Sequence, residues 1–154
     1  MEAKHLTSIP FTGQCACGDI QYTCHELPLA QFNCHCGQCQ TASGGAFVTV
    51  ALVHEKALSI NKGEPRYYRT TGDAGRWTDR GFCANCGTPM FAKGEVGPGY
   101  ISIKPGTLHD ASWFSPTIDT WASTAPDWLC QNAEIPKADK TPNLLRKSKA
   151  PQPI

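Results

Sequence analysis

The chain is short of charge. Asp, Glu, Lys and Arg make up 18% of its 154 residues, and the net charge is +1. Neither a basic nor an acidic excess is available to grip nucleic acid or a membrane surface over a large footprint. Long apolar runs are also missing. No stretch approaches the roughly 20 apolar residues of a spanning helix, and the opening "MEAKHLTSIPFTG" has no apolar segment suited to a signal peptide. These absences lead to the expectation of a cytoplasmic protein with no membrane partner and no nucleic-acid partner. Internal repeats and long helical periodicities are absent as well, so solenoids, coiled coils and helix bundles are set aside. The length fits one domain with its own core.

Cysteine is what the chain has in abundance. Nine are present, at 15, 17, 24, 34, 36, 39, 83, 86 and 130. In a reducing compartment disulfides are rare, and clustered cysteines more often bind metal or do chemistry. Seven of the nine form three short-spaced groups: Cys15 with Cys17, Cys34 with Cys36 and Cys39, and Cys83 with Cys86. Cys24 and Cys130 stand apart and are expected to be buried thiols without metal, since free cysteine packs as a small hydrophobe.

The remainder reads as mainly β, with short strands. Candidate strands cover 19–25, 46–54, 57–63, 66–71, 75–83, 89–94, 99–105 and 117–123. Several alternate apolar with polar residues and are rich in β-branched and aromatic side chains. Gly- and Pro-containing turns such as "KGEP", "TTGDAG" and "VGPG" separate them. "LAQFNCHC" (29–36) is expected to hold at most a turn of helix. Residues 1–10 are expected to form an N-terminal arm, 11–135 a single domain, and 136–154 a polar, basic, proline-rich tail with little packing.

Spacing turns the cysteine groups into sites. In a strand, residues i and i+2 share a face, so Cys15 and Cys17 of "CACG" can aim both sulfurs at one point. "CANCG" (83–87) suits a knuckle in which a turn brings two thiolates onto one ion and Gly87 lets the backbone fold back. Together the pairs make a closed set of four sulfurs, the pattern of structural zinc. A redox-active disulfide is the competing reading of C-x-x-C, but the βαβ context it needs is missing. In "NCHCGQCQ" the same-face logic covers Cys34 and Cys36, and Cys39 returns after a Gly-Gln turn. Three ligands leave one position for water or substrate, the mark of a catalytic centre. Three alternatives stay open: His35 as a fourth ligand, Cys24 or Cys130 closing a second structural site, and an iron–sulfur centre.

"GQCACG", "NCHCGQCQTASGGAF" and "FCANCGTPMF", in that order, closely resemble the signature of the glutathione-dependent formaldehyde-activating enzyme family, whose domain centromere protein V-type proteins share. The resemblance runs from about Phe11 to about Ile135. It implies a zinc-stabilised β-tent of short antiparallel sheets and two zinc ions per chain. Cys15, Cys17, Cys83 and Cys86 would hold the structural zinc, and Cys34, Cys36 and Cys39 a second zinc facing substrate. It also implies carbon–sulfur lyase-type chemistry on a thiol adduct, with glutathione and formaldehyde giving S-(hydroxymethyl)glutathione. One position departs: many members carry a basic residue after the third ligand of the second site, and this chain has Gln40. The alternative function is a non-catalytic zinc-stabilised module for protein or nucleic acid. The only basic run, "LLRKSK" (144–149), falls in the tail. A homo-oligomer is compatible with either reading.

Other residues have a plainer expectation. Trp77, Trp113, Trp121 and Trp128 are expected in core or rim packing, and His54 and His109 on the solvated surface. Lys104 and Arg80 could meet a substrate carboxylate or simply be strand charges. Ser43, Gly44 and Gly45 could offer free backbone to a peptide-like ligand.

Overall fold

The computed structural model describes residues 8–72, 74–95 and 97–142. Two sheets and one helix make a single mainly β domain. Strands β1 (Phe11–Gln14), β2 (Gln21–Cys24) and β5 (Leu58–Lys62) form a small antiparallel sheet in the order β1-β2-β5. The larger sheet has seven strands: β3 (Ala30–Cys34), β4 (Val48–His54), β6 (Arg66–Thr71), β7 (Trp77–Phe82), β8 (Pro89–Gly94), β9 (Tyr100–Ile103) and β10 (Asp119–Thr120). Their order is β10-β3-β4-β9-β8-β7-β6. All its pairs are antiparallel except β10 with β3. The helix α1 (Gly37–Ser43) directly follows β3.

Register assigns a job to each face of the large sheet, because paired residues share a face. One row runs Ala51, Ile103, Phe91, Gly81. With Val53 and Ile101 it turns toward the small sheet and packs with Phe11, Ile20, Tyr22 and Cys24 into the main core. Tyr22 meets Phe91 edge-on at 5.3 Å, and its hydroxyl pairs with Thr107 Oγ1 at 2.7 Å, so burial leaves no phenol unsatisfied. Burying each Ile, Val or Phe there contributes about 2 kcal/mol. Gly13 is required where β1 crosses this core: a Cβ would overlap the Tyr22 ring and the Thr107 carbonyl. The next row, Leu52, Ser102, Ala92, Arg80, lies on the opposite face. Lys104 follows Ser102 at the same parity. On that face Cys34, Cys39, Val48 and Val50 form a second, smaller cluster, with Phe32, Cys36, Leu52 and Trp121 packed on it.

Each of the eight candidate strands contains an observed strand. Two strands lie outside them. β1 is short and carries Gly13, and pairing with β2 makes it a strand despite poor propensity. β3 stands where a turn of helix was expected. All five of its residues pair with β4, from Ala30↔Leu52 to Cys34↔Val48, and that ladder decides the conformation. The helix starts only at Gly37, with Cys36 as its N-cap and Gly44 (φ 69) as its left-handed C-cap.

Residues 136–141 of the expected tail are hydrogen-bonded to the domain at several points, although all but Ala138 are exposed. Asp119 accepts from Ala138 N–H and pairs with Lys137 at 2.8 Å, and Trp121 Nε1 donates to Thr141 Oγ1 at 3.1 Å. The last part of the tail, including the basic run 144–149, and residues 1–7 of the arm lie outside the described residues.

Candidate functional site

The Sγ atoms of Cys15, Cys17, Cys83 and Cys86 lie within 4.8 Å of one another. Cys15 and Cys17 are 3.5 Å apart, and Cys17 and Cys83 are 3.8 Å apart. Four sulfurs about 2.3 Å from one ion make a tetrahedron with edges of about 3.8 Å, so the donors fit a zinc ion. All nine thiols are free. The backbone differs from the expected strand: β1 ends at Gln14, and Cys15 and Cys17 sit in a turn closed by Gly18 N–H donating to the Cys15 carbonyl at 3.0 Å. The second pair repeats the device, with Gly87 N–H donating to the Cys83 carbonyl at 2.8 Å. Gly18 and Gly87 have φ of 75° and 74°, so both knuckles need glycine.

Thr88 joins the two knuckles, and sequence reasoning missed it. Its hydroxyl accepts from Ala16 N–H at 3.1 Å and lies 3.1 Å from Cys86 Sγ. Hydrogen bonds from the Thr88 hydroxyl and backbone pull the Cys86 thiol down to about 5. Ile20 N–H donates to Cys15 Sγ at 3.3 Å. Such donors favour the thiolate over the thiol. A hydroxyl two residues after the second cysteine of "CANCGT" was the available signal.

The second cluster gathers Cys34, Cys36 and Cys39, whose sulfurs also lie within 4.8 Å of one another. Cys34 ends β3, Cys36 caps α1, and Cys39 sits in the first helical turn, its N–H donating to Cys36 Sγ at 3.4 Å. The expected same-face strand geometry is therefore replaced by a strand-to-helix junction, which brings the same three sulfurs together. Cys34 and Cys39 are buried and Cys36 is half-buried. Three sulfurs this close cannot all ionise unaided. Hydrogen bonds from Cys34, then Cys39, pull the Cys36 thiol down to about 2, while Cys34, against Cys36, and Cys39, against Cys34, are pushed up. A divalent cation among them would make all three thiolates, so this donor set also fits zinc.

His35 does not join either cysteine group. It is buried, packs on Phe47 at 5.0 Å, and turns Nε2 toward Asp119 at 3.6 Å. Cys24 is buried outside both groups, as expected, whereas Cys130 is exposed, contrary to expectation: its segment 128–133 crosses the surface outside any strand. Neither closes the second cluster.

Two cations do approach it. Arg80 Nη2 points at Cys39 Sγ at 4.0 Å, and Arg80 Nε is buried without a partner. Lys104 is half-buried within electrostatic reach of Cys39, Arg80, Cys34 and Cys36, and burial pulls its ammonium below the ordinary range. Trp121 packs on the cluster with its backbone in the left-handed region (φ 54), a conformation costing a bulky residue about 1–3 kcal/mol. Gln40, at the position where the resemblance leads one to expect a basic residue, turns inward. Its amide donates to the His35 and Thr124 carbonyls at 2.8 and 2.9 Å. Ser43, Gly44 and Gly45 are exposed, with the N–H groups of the two glycines already engaged. Gly44 N–H caps α1 on the Gln40 carbonyl, and Gly45 N–H donates to Ser43 Oγ at 3.0 Å.

The remaining residues lie elsewhere. His54 pairs with Glu26 at 2.9 Å and stacks on Tyr100, and His109 pairs with Thr12 Oγ1 at 2.8 Å. Trp113 packs on Phe11, Arg69 lies 4.1 Å over the Trp77 ring, and Trp128 is exposed rather than packed. Among the described residues, no helix is long and apolar enough to cross a membrane.

Comparison with known proteins bears on the fold and the family. A crystal structure of a Rhodobacter sphaeroides protein has the same kind of fold, with a TM-score of 0.53 at 18% identity over 64% of this chain and 87% of that one. No curated protein matches the chain. The sequence profile of the glutathione-dependent formaldehyde-activating enzyme family matches residues 10–124, which contain both cysteine clusters, and the chain belongs to that family.

Proposed function

We propose that the chain is a zinc-dependent enzyme of carbon–sulfur chemistry that joins a small thiol to an aldehyde, or splits the adduct. Glutathione and formaldehyde, giving S-(hydroxymethyl)glutathione, are the first pair to consider. The observation that carries this reading is the difference between the clusters: four sulfurs in one, three in the other with the Arg80 guanidinium directed at Cys39. In this reading Cys15, Cys17, Cys83 and Cys86 hold a structural zinc that stabilises a β-tent. Cys34, Cys36 and Cys39 hold the zinc that faces substrate. Residues 11–135 form the working domain, and a reducing cytoplasm keeps the thiols free.

When bound, the second zinc supplies a soft Lewis-acid position that favours a thiolate at neutral pH over a thiol of pKa about 8.5. The chain's residues do the rest. The β3–α1 junction holds the three donors together, and Cys36 is the most exposed of them and so the nearest to an incoming sulfur. Trp121 and Phe32 line the cluster with apolar surface and limit water there. The thiol proton leaves to solvent. The sulfur lone pair attacks the aldehyde carbon, a carbon–sulfur bond forms, and the carbonyl oxygen takes up a proton to become the hydroxyl. Arg80, directed at Cys39 Sγ, would offset negative charge on the sulfur cluster.

The test is exchange spectroscopy with ¹³C-formaldehyde and glutathione, whose adduct also forms spontaneously. The protein should accelerate exchange between hydrate and adduct saturably, and Cys36→Ala should abolish the acceleration. Exchange at the uncatalysed rate with glutathione and with other small thiols would sink the proposal.

A further inference from the structure

Arg80 lies on the face of the large sheet that carries the second cluster, and Lys104, one residue beyond β9, is within electrostatic reach of the same three sulfurs and of Arg80. Arg80 Nη2 reaches Cys39 Sγ at 4.0 Å, and its buried Nε has no partner. No carboxylate pairs with either cation among the described residues. Partly buried unpaired charges are costly, and a fold keeps them where another charge compensates them. The compensating charge here is the thiolate cluster. Three thiolates around a divalent cation carry about −1 in total, which two cations over-neutralise. A neutral fourth donor leaves that mismatch in place. An anionic fourth donor brings the centre to about −2 and balances the pair.

We infer that Arg80 and Lys104 form a cationic wall that makes the open position at Cys34, Cys36 and Cys39 selective for an anionic donor, a thiolate, over a neutral one such as imidazole. The inference rests on the proposed open metal centre and adds the residues that set its ligand charge. The entering thiol gives its proton to solvent and arrives as the thiolate. Arg80 keeps its charge at any working pH and is the stronger of the two. Neither side chain supplies a ligand atom. They are positioning and specificity residues, and a purely structural role would affect all ligands alike.

The test uses the full chain loaded with cobalt(II), whose absorption reports on the ligands, titrated at fixed pH with 2-mercaptoethanol and separately with imidazole. Arg80→Gln should weaken the thiol by about tenfold or more while leaving imidazole within about twofold. Lys104→Gln should do the same to a smaller degree, and Arg80→Lys should restore most of the thiol affinity. Equal weakening of both ligands, or of neither, overturns the inference. If the wild type still binds the thiol, the proposed function survives that result. A wild type that holds cobalt at the second cluster but ignores the thiol overturns both. Cobalt stoichiometry and melting temperature are recorded for each variant. Should Arg80→Gln fail to fold, Lys104→Gln carries the same comparison, and equal effects on the two ligands there overturn the inference.

Discussion

Cys17 and Cys83 are 66 residues apart, yet their sulfurs lie 3.8 Å from one another. Cys34, Cys36 and Cys39 fall within six residues, at a single strand-to-helix junction. The first cluster ties the turn after β1 to the turn between β7 and β8, and Cys15 and Cys83 are part of the main core. The second lies on the opposite face of the large sheet with two cations beside it. The first is placed to carry topology. The second draws all three sulfurs from one short segment, which suits it to the reactive role proposed above. The largest expected effects follow from this contrast.

Cys15→Ala or Cys83→Ala should cost the folded state. A structural zinc supplies on the order of 10 kcal/mol of folding free energy, comparable with the whole stability of a domain this size, about 5–15 kcal/mol. Melts of wild type and variants with and without chelator check this. A variant that unfolds as cooperatively and at the same temperature as wild type would remove the first cluster from the architecture.

Cys36→Ala should instead keep the fold and lose one metal, with zinc per chain falling from about two to about one. The lost N-cap costs about 1 kcal/mol. Global unfolding in the circular dichroism spectrum would erase the distinction between the clusters.

The grouping of the cysteines was legible before the structure, because it is written in short-range spacing: C-x-C, C-x-x-C and C-x-C-x-x-C. The backbone beneath it was not. Strand β3 has an unremarkable sequence, "AQFNC", and becomes a strand through its ladder with β4, a partner that no local pattern announces. The same holds for Arg80 and Lys104. They are far apart in sequence, and only the register across β7, β8 and β9 brings both within reach of the second cluster. Thr88 and Gln40 act through hydrogen bonds to backbone 72 and 84 residues away, which residue type alone cannot reveal.

Asp119 gives a smaller effect with a defined pH signature. Its carboxylate accepts from Asn33 Nδ2 and pairs with Lys137, each at 2.8 Å, and so braces the end of β3 that carries Cys34. Burial alone would raise this carboxyl, but the bonds from Lys137 and Asn33 hold it below its usual range. A carboxyl depressed in the folded state stabilises fully above its unfolded value of about 3.9, and that contribution is lost as pH falls through the folded value. Asp119→Asn should therefore cost about 2 kcal/mol, lowering Tm by about 5 °C. The gap to wild type should stay constant from pH 8 to pH 5. A gap that closes between pH 8 and pH 6 would show that the carboxylate is not the governing group.

The smallest effects should separate the clusters most cleanly. Thr88→Ala removes the hydroxyl that links the two knuckles of the first cluster, accepting from Ala16 N–H and lying against Cys86. Gln40→Ala removes an amide that holds the His35 and Thr124 carbonyls under the second cluster. The His35 carbonyl keeps its bond from Thr124 Oγ1 at 2.9 Å, and exposed Thr124 can turn to water, so the loss is softened. Each change costs about 1 kcal/mol. Their effects on metal release should nevertheless differ. A chelator reaches a three-ligand centre through its open side and a four-ligand centre only after a ligand lets go, so wild-type release should be biphasic. Gln40→Ala loosens the segment bearing Trp121 and should speed the fast phase alone, by several-fold. Thr88→Ala weakens the link across the first cluster and should speed the slow phase alone. Stopped-flow release with a chromogenic chelator resolves the two phases. If either substitution moved both phases together, the clusters would be coupled through the sheet between them, and the division of labour between scaffold and site would fail.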